Sequence, residues 1–237
     1  MMSDLSIIIP AYNESNQINE TVSSLFALKG SHENEFEVIV VDGHPEGTTL
    51  SVIIDDRVIR LSGEKGRALQ MNTGARTATG DIFLFLHADT MISEDAVRNI
   101  LSAMKHPEIS AGTFHLGIRS NRTIFRLIEK AVFYRTRITR IPYGDQGIFI
   151  RRNIFFQLGG YRDIPIMEDV DLMRRLKKNR KKIVLLSQKA YTSSRRWDKE
   201  GVICCTLRNW MLILFYFAGI PPSSLNRFYR EFRPEAK

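Results

Sequence analysis

Several groups of residues in this chain have the types and spacing for chemistry. His87-Ala88-Asp89 follows the short apolar run from Ile82 to Leu86. A continuous run of that length fits a strand buried on both faces, as in the middle of a parallel sheet. Ligands of open α/β sheets sit beyond the carboxyl ends of the strands. A carboxylate there, two residues after an imidazole, can hold a hard cation against phosphate oxygens. The plainer role for Asp89 is to cap a helix beginning near Ser93. Glu168-Asp169 opens a segment with acids first and bases last, the order that a helix dipole favours. Such carboxylates either cap the helix or take a proton from an attacking hydroxyl. Lys65-Gly66-Arg67 ends a glycine-bearing loop whose N–H groups and cations suit phosphates. The same residues also make an ordinary solvated turn.

Three further groups complete the set. Asp42 closes a second apolar run just before Gly43. It can accept from a ligand N–H at a sheet edge, or simply form the turn. Asp145-Gln146 lies on a glycine-flanked loop and offers polar groups to a ligand. Arg195-Arg196-Trp197 offers two guanidinium groups to an anion and an indole for packing. Its alternative is a basic surface segment anchored by one Trp.

These residues need a scaffold that brings them to one edge. Leu5 to Pro10, Phe36 to Val41, Val58 to Leu61 and Ile82 to Leu86 read as strands. The segments between them have helical spacing, as in Ile18, Val22, Leu25 and Phe26, and again from Ala68 to Thr77. Strands alternating with helices argue for a parallel sheet with right-handed crossovers. Helix from Ser93 to Met104, strand from Ala111 to Ile118, helix from Ile124 to Thr139 and strand from Gly147 to Arg151 follow. Asp169 to Lys178 reads as helix, Ile183 to Leu186 as strand, and the chain from Val202 onward as apolar helix broken at Pro221-Pro222.

The 237 residues suffice for one large α/β domain or for one domain plus an appendage. A formal charge of +8 and a pI near 9.6 favour anionic partners such as nucleotides, phosphorylated lipids or membrane surfaces. Nucleic acid would fit the charge, yet no recognition motif supports it. Adjacent Cys204 and Cys205 make a poor structural disulfide, and no Cys/His spacing suggests zinc. A reducing cytoplasm is the expected compartment. There is no signal-peptide pattern and no run of the ~18 apolar residues that suggest a membrane span.

Taken together, the motifs resemble those of family-two glycosyltransferases with the A-type fold. Ser6-Ile7-Ile8-Ile9-Pro10-Ala11-Tyr12-Asn13-Glu14 looks like their first strand, and Val40-Val41-Asp42-Gly43 like the end of their second. Gly66-Arg67-Ala68 through Asn72-Thr73-Gly74-Ala75 resembles their glycine/asparagine helix start. His87-Ala88-Asp89 stands at their Asp-x-Asp metal motif, Glu168-Asp169 at their Glu-Asp motif, and Arg195-Arg196-Trp197 at the end of their Gln-x-x-Arg-Trp motif. The likeness spans about residues 5 to 200, and it is the order of six weak motifs that makes it specific. His-Ala-Asp-Thr, Gly-Asp-Gln-Gly and Arg-Arg-Trp further resemble a bacterial subgroup. The sequence departs from the pattern at His87 in place of an acid, at Asp42-Gly43-His44-Pro45 in place of consecutive acids, and at Ser193 in place of Gln.

The resemblance implies an α/β A-type glycosyltransferase fold, Rossmann-like, with a largely parallel central sheet and a C-terminal helical segment. It implies a catalytic unit over residues 1–200 and a helical extension over 201–237. It implies an inverting transfer of sugar from a nucleotide-diphosphate sugar, with Asp169 as general base and Glu168 supporting it. Pro10, Ala11, Tyr12, Glu14, Asp42, Lys65, Gly66, Arg67, His87, Arg195 and Arg196 would bind the donor. Asp145, Gln146 and Trp197 would face the acceptor, and Asp89 would hold divalent manganese or magnesium. A nucleotidyltransferase of related fold and a non-catalytic nucleotide-sugar-binding protein stand as alternatives.

Trp210 to Ile220 is apolar nearly all round but too short to span a bilayer, which takes ~20 residues. Core, a second subunit and a membrane interface are its three destinations. Arg208, Arg227, Arg230 and Arg233 flank it and suit anionic headgroups. A lipid-linked acceptor and a peripheral position on the inner face of the membrane would follow.

Overall fold

The computed structural model describes residues 4–28 and 36–231, and of residues 230 and 231 the backbone alone. Arg233 and the side chain of Arg230 therefore lie outside the described residues.

Four apolar, β-branched runs build the first half of one sheet: Leu5–Ala11 (β1), Phe36–Asp42 (β2), Ile59–Ser62 (β3) and Ile82–Phe85 (β4). They pair in parallel in the order β3-β2-β1-β4. Ile18–Ala27 (α1) and Arg67–Thr77 (α2) make the crossovers on opposite faces. Strand side chains alternate between the faces, so Ile7 and Ile9 join the core under α1 while Ile8 joins the core under α2. Gly74 lets α2 approach closely, because a Cβ there would lie 2.5 Å from Ile8 Cγ2.

The second half is mixed. Met91–Ile92 (β5) precedes Ala96–Met104 (α3), Ile109–Arg119 (β6) and Thr123–Thr139 (α4). Ile148–Arg151 (β7) then runs antiparallel between β4 and β6. Arg152–Gln157 (α5) and Glu168–Lys178 (α6) lead to Lys182–Ser193 (β8), which is parallel to β6 and antiparallel to β5. The full order is β3-β2-β1-β4-β7-β6-β8-β5, so the expected largely parallel sheet is present, interrupted at β7 and β5. Arg195–Glu200 (α7), Val202–Phe217 (α8) and Pro222–Glu231 (α9) close the chain.

The structure divides the C-terminal apolar stretch. Cys205, Leu212 and Tyr216 of α8 and Leu225 of α9 are buried, and all but Cys205 join the core beneath α2 and α6. Ile203, Leu207, Trp210, Met211, Leu214 and Phe217 face outward. A core destination therefore accounts for one side of α8 only. Arg208, expected as a flanking surface cation, is buried against Glu200 and stacks 4.7 Å from the Tyr229 ring.

Candidate active site

The register sets the first wall of the site. Ala11 of β1 pairs with Asp42 of β2, and Asp42 pairs with Ser62 of β3, so three strand ends finish level at the carboxyl edge. Gln70, buried on α2, donates through Nε2 to the carbonyls of Ala11 and Val41 and ties those ends together. Asp42 is fully buried. Its Oδ1 accepts from the His44 N–H at 2.9 Å, and its Oδ2 from the Thr49 N–H at 2.8 Å and the Leu50 N–H at 3.4 Å. Asp42 thus performs the turn-forming role, since the N–H groups of its own loop take both carboxylate oxygens.

Tyr12 stands beside this edge between Lys65 and His44. Lys65 Nζ lies 4.6 Å from its ring centroid and the His44 ring 5.2 Å away. Such stacking gives a flat aromatic wall with positive charge over it. Pro10 is buried within β1, and Gly66 opens α2 with φ of 145°. Asn13, at φ 58°, turns the chain so that Glu14 points back into the site. Glu14 Oε2 meets Arg195 Nη2 at 3.2 Å, and the same guanidinium group lies 3.7 Å from Asp89 Oδ2. Burial raises the Glu14 carboxyl above its usual range, with Arg195 opposing that rise. Arg195 is brought there by β8, whose end at Ser193 pairs with Arg119 of β6.

The second wall depends on the antiparallel insertion. Phe85 of β4 pairs with Ile148 of β7, so residues just before β7 must lie beyond the end of β4. The one-turn 3-10 helix Gly144–Gln146 accordingly meets His87. A Cβ added to Gly144 would sit 2.7 Å from His87 Nε2 and 3.4 Å from Asp169 Oδ2, so only glycine leaves both in place. The Gly144 N–H donates to Asp169 Oδ2 at 2.5 Å, and the Val170 N–H donates to Oδ1 at 2.7 Å. Met167 precedes this pair at φ 67°, a left-handed conformation unusual for a side-chain-bearing residue and the kind of strain that collects at functional sites.

Charges of both signs converge here. Burial, the largest cause, lowers His87 to about 4, and Arg67 and Arg196 act in the same direction. The imidazole is therefore neutral at ordinary pH. Asp145 is pushed up to about 6, chiefly by burial, and its enclosed Oδ1 has no hydrogen-bond partner. Glu168 is buried and pairs through Oε1 with Arg67 Nε at 2.8 Å, while Oε2 has no partner. Its carboxyl is raised by burial, against the pull of Arg67.

The structure gives several of these residues partners within the chain. Arg67 is engaged through Nε by Glu168 across the α2–α6 gap. Gln146 is fully buried, and its amide is used within the protein. Its Oε1 accepts from Arg135 at 2.9 Å, Thr136 at 3.1 Å and the Tyr143 N–H at 3.3 Å, and its Nε2 donates to the Phe114 carbonyl at 3.1 Å. It shapes the loop, and its full burial keeps it from facing an acceptor. Trp197 packs on Phe125 with ring centroids 5.7 Å apart and anchors α7, as the plainer reading had it. Arg196 is exposed, and its charge acts on both His87 and Asp145. Sequence reasoning missed Gln70, Gly144 and Arg135. A glutamine on a helix between apolar positions was the one available signal, because a buried amide must find partners.

A divalent cation fits this donor set in one particular way. Among the described residues no three His, Cys, Asp or Glu side chains converge on a common point. Asp89 nevertheless has lightly used oxygens: Thr90 and Thr192 hydroxyls approach Oδ1 only at 3.4 and 3.5 Å. One available carboxylate beside a neutral imidazole suits an ion whose remaining ligands are phosphate oxygens and water.

The comparisons with known proteins agree with this geometry. Residues 6–164 match the family model described as glycosyl transferase family 2. The poly-beta-1,6-N-acetyl-D-glucosamine synthase of Staphylococcus aureus (strain MSSA476) is 28% identical over 134 residues, covering 54% of this chain and 32% of that protein. Its Staphylococcus epidermidis counterpart is 27% identical over 132 residues, covering 53% and 31%. The chain thus matches about a third of the length of these curated relatives. Among solved structures, S. aureus TarS 1–349 in complex with UDP superposes with a TM-score of 0.62 at 19% identity, covering 80% of this chain and 60% of that one. The mannosyltransferase PcManGT of Pyrobaculum calidifontis, solved with GDP-Man and Mn2+, gives 0.59 at 20% identity, covering 81% and 57%. The fold is thus the A-type glycosyltransferase fold. With its ordered motifs on that scaffold and the family model covering residues 6–164, this chain belongs to glycosyl transferase family 2.

Proposed function

We propose that this protein is an inverting glycosyltransferase that takes its sugar from a nucleoside-diphosphate sugar and uses Asp169 as the general base. The observation that carries the reading is the position of Asp169, fixed by the Gly144 N–H beside His87 at the carboxyl edge of the sheet. A carboxylate has about four lone-pair sites. The two backbone bonds leave others to receive a proton from an acceptor hydroxyl. The acceptor oxygen forms its bond to the anomeric carbon as the bond from that carbon to the diphosphate oxygen breaks. The proton passes to Asp169, the nucleoside diphosphate leaves, and attack from the opposite face inverts the centre.

The other residues bind and orient. Ala11 and Tyr12 line the base and ribose end, with Lys65 above the ring, and Asp42 holds the loop behind them. Arg195 and Arg196 meet the diphosphate, for which Arg195 exchanges its contacts to Glu14 and Asp89. Asp89, with His87 beside it, would hold magnesium or manganese against the diphosphate. An ion so held supplies charge neutralisation on the leaving group. Glu168 and Arg67 brace the base from behind. Residues 1–200 serve as the catalytic unit and 201–237 as a helical extension. The basic charge of the chain and its exposed apolar helix faces support a lipid-linked acceptor, met at the cytoplasmic face of a membrane.

Asp169→Asn tests the central claim. Donor binding should survive while transfer falls by at least ~100-fold, the usual scale for loss of a general base. Transfer near the wild-type rate would make Asp169 a helix cap only. Release of free sugar rather than pyrophosphate from the donor separates this chemistry from nucleotidyl transfer.

A further inference from the structure

The solvent face of α4 has a composition that the transfer chemistry does not use. Ile124, Leu127, Tyr134 and Ile138 are 38%, 58%, 59% and 79% exposed. Their spacing of three, seven and four puts them in one stripe along a helix roughly 25 Å long. Exposed Lys130, Arg137 and Arg140 border the stripe. The one acid of α4, Glu129, points inward. It accepts from the Ile118 N–H at 2.8 Å and pairs with Lys189 and Arg126. The outward face is therefore apolar and cationic with no negative charge.

That composition selects the occupant. A second copy docked α4 to α4 would bring Lys130, Arg137 and Arg140 of both chains together with no acid from either helix between them. Anionic lipid headgroups supply the missing charge, and the acyl boundary accepts the apolar stripe, which is how amphipathic helices lie in an interface. The exposed stripe of α8 has no charged residue and makes no such choice.

The inner face of α4 reaches the acceptor side of the site. Arg135 and Thr136 hold Gln146, and the Arg135 guanidinium group stacks 3.4 Å from the Tyr143 ring centroid. The next residue, Gly144, donates to Asp169. Phe125, fully buried, fixes the other end of the helix against Leu116, Ile118 and Trp197.

We propose that the outward stripe of α4 seats the protein on an anionic lipid surface and so sets the height at which a lipid-linked acceptor meets Asp169. The docking rests on α4 alone, and its link to catalysis rests on the transferase reading above. The full chain should float with phosphatidylcholine vesicles containing phosphatidylglycerol, stay below pure phosphatidylcholine vesicles, and detach as salt rises. Leu127→Ser with Ile138→Ser should cut the bound fraction by at least ~10-fold, and Lys130→Glu with Arg137→Glu should do the same at low salt. Circular dichroism and donor binding confirm that each variant is folded. Wild-type chain that remains soluble would overturn the proposal, as would α4 variants that float like wild type. A wild-type dimer that the α4 variants split would assign the stripe to a second copy and also overturn it. Flotation without any donor turnover would support the docking while refuting the transferase reading. Turnover without flotation would overturn the docking alone.

Discussion

Asp145 offers a test in which stability and activity should move in opposite directions. Its carboxyl lies on the one-turn helix beside Asp169, with Oδ1 enclosed and unpartnered. Burial raises it from 3.8 to about 6; Asp169 and Asp89 add to the rise, and Arg135 and Arg196 oppose it. Between those two values the folded chain keeps a proton that the unfolded chain releases. Stability therefore falls as pH rises through that window, and the loss is complete above it. About two pH units at ~1.4 kcal/mol each set a ceiling near 3 kcal/mol. Solvent reaching the half-buried residue reduces this to ~1–2 kcal/mol. Asp145→Asn keeps the shape and removes the charge. A chain of this size gains ~2–4 °C of melting temperature per kcal/mol, so the variant should melt about 2–8 °C higher near pH 7.5. Near pH 4 the gain should almost vanish, because Asp145 is then protonated in the folded wild type. Calorimetry at the two pH values measures this, and a transfer assay on the same samples should show a raised KM for acceptor. An unchanged or lower melting temperature near pH 7.5, or an equal gain at both pH values, would refute the reasoning.

Other substitutions probe the remaining contacts. Asp89→Ala should remove manganese-dependent donor binding, read by calorimetric titration, and undiminished binding in the folded variant would exclude Asp89 as the ion's ligand. Arg67→Met leaves buried Glu168 without its partner; half-exposure of Arg67 reduces the usual penalty for a broken buried pair, so a loss of ~2 kcal/mol is expected, partly restored by adding Glu168→Gln. A thermal melt of the two variants checks this, with an unchanged Arg67→Met midpoint as the contrary result. Gly144→Ala puts a methyl 2.7 Å from His87 Nε2 and 3.2 Å from Cε1, so kcat should drop at least ~10-fold through misplacement of His87 and Asp169. A wild-type kcat for that variant would show that the gap is not needed.

Much of the fold was legible from local pattern. The four strands of the first half, the helices between them and the carboxyl-edge positions of Asp42, His87 and Asp89 follow from apolar runs and helical periodicity, which depend on neighbours in sequence. The ordered motifs were enough to suggest the family. Sequence alone also marked Glu168-Asp169 as the start of a helix, because acids first and bases last complement the dipole. Strand direction was not available, since Ile148 to Ile150 has the same hydrophobicity whichever way it runs. Only the antiparallel pairing of β7 brings Gly144 onto His87 and Asp169. Burial was likewise a tertiary decision. It left Trp197 packing on Phe125, enclosed the amide of Gln146, turned Arg67 toward Glu168, and divided α8 into a core face and an outward one. Side-chain type and spacing state which chemistry a residue can do. What it does depends on which partners the packed chain supplies, and those come from segments far apart in sequence.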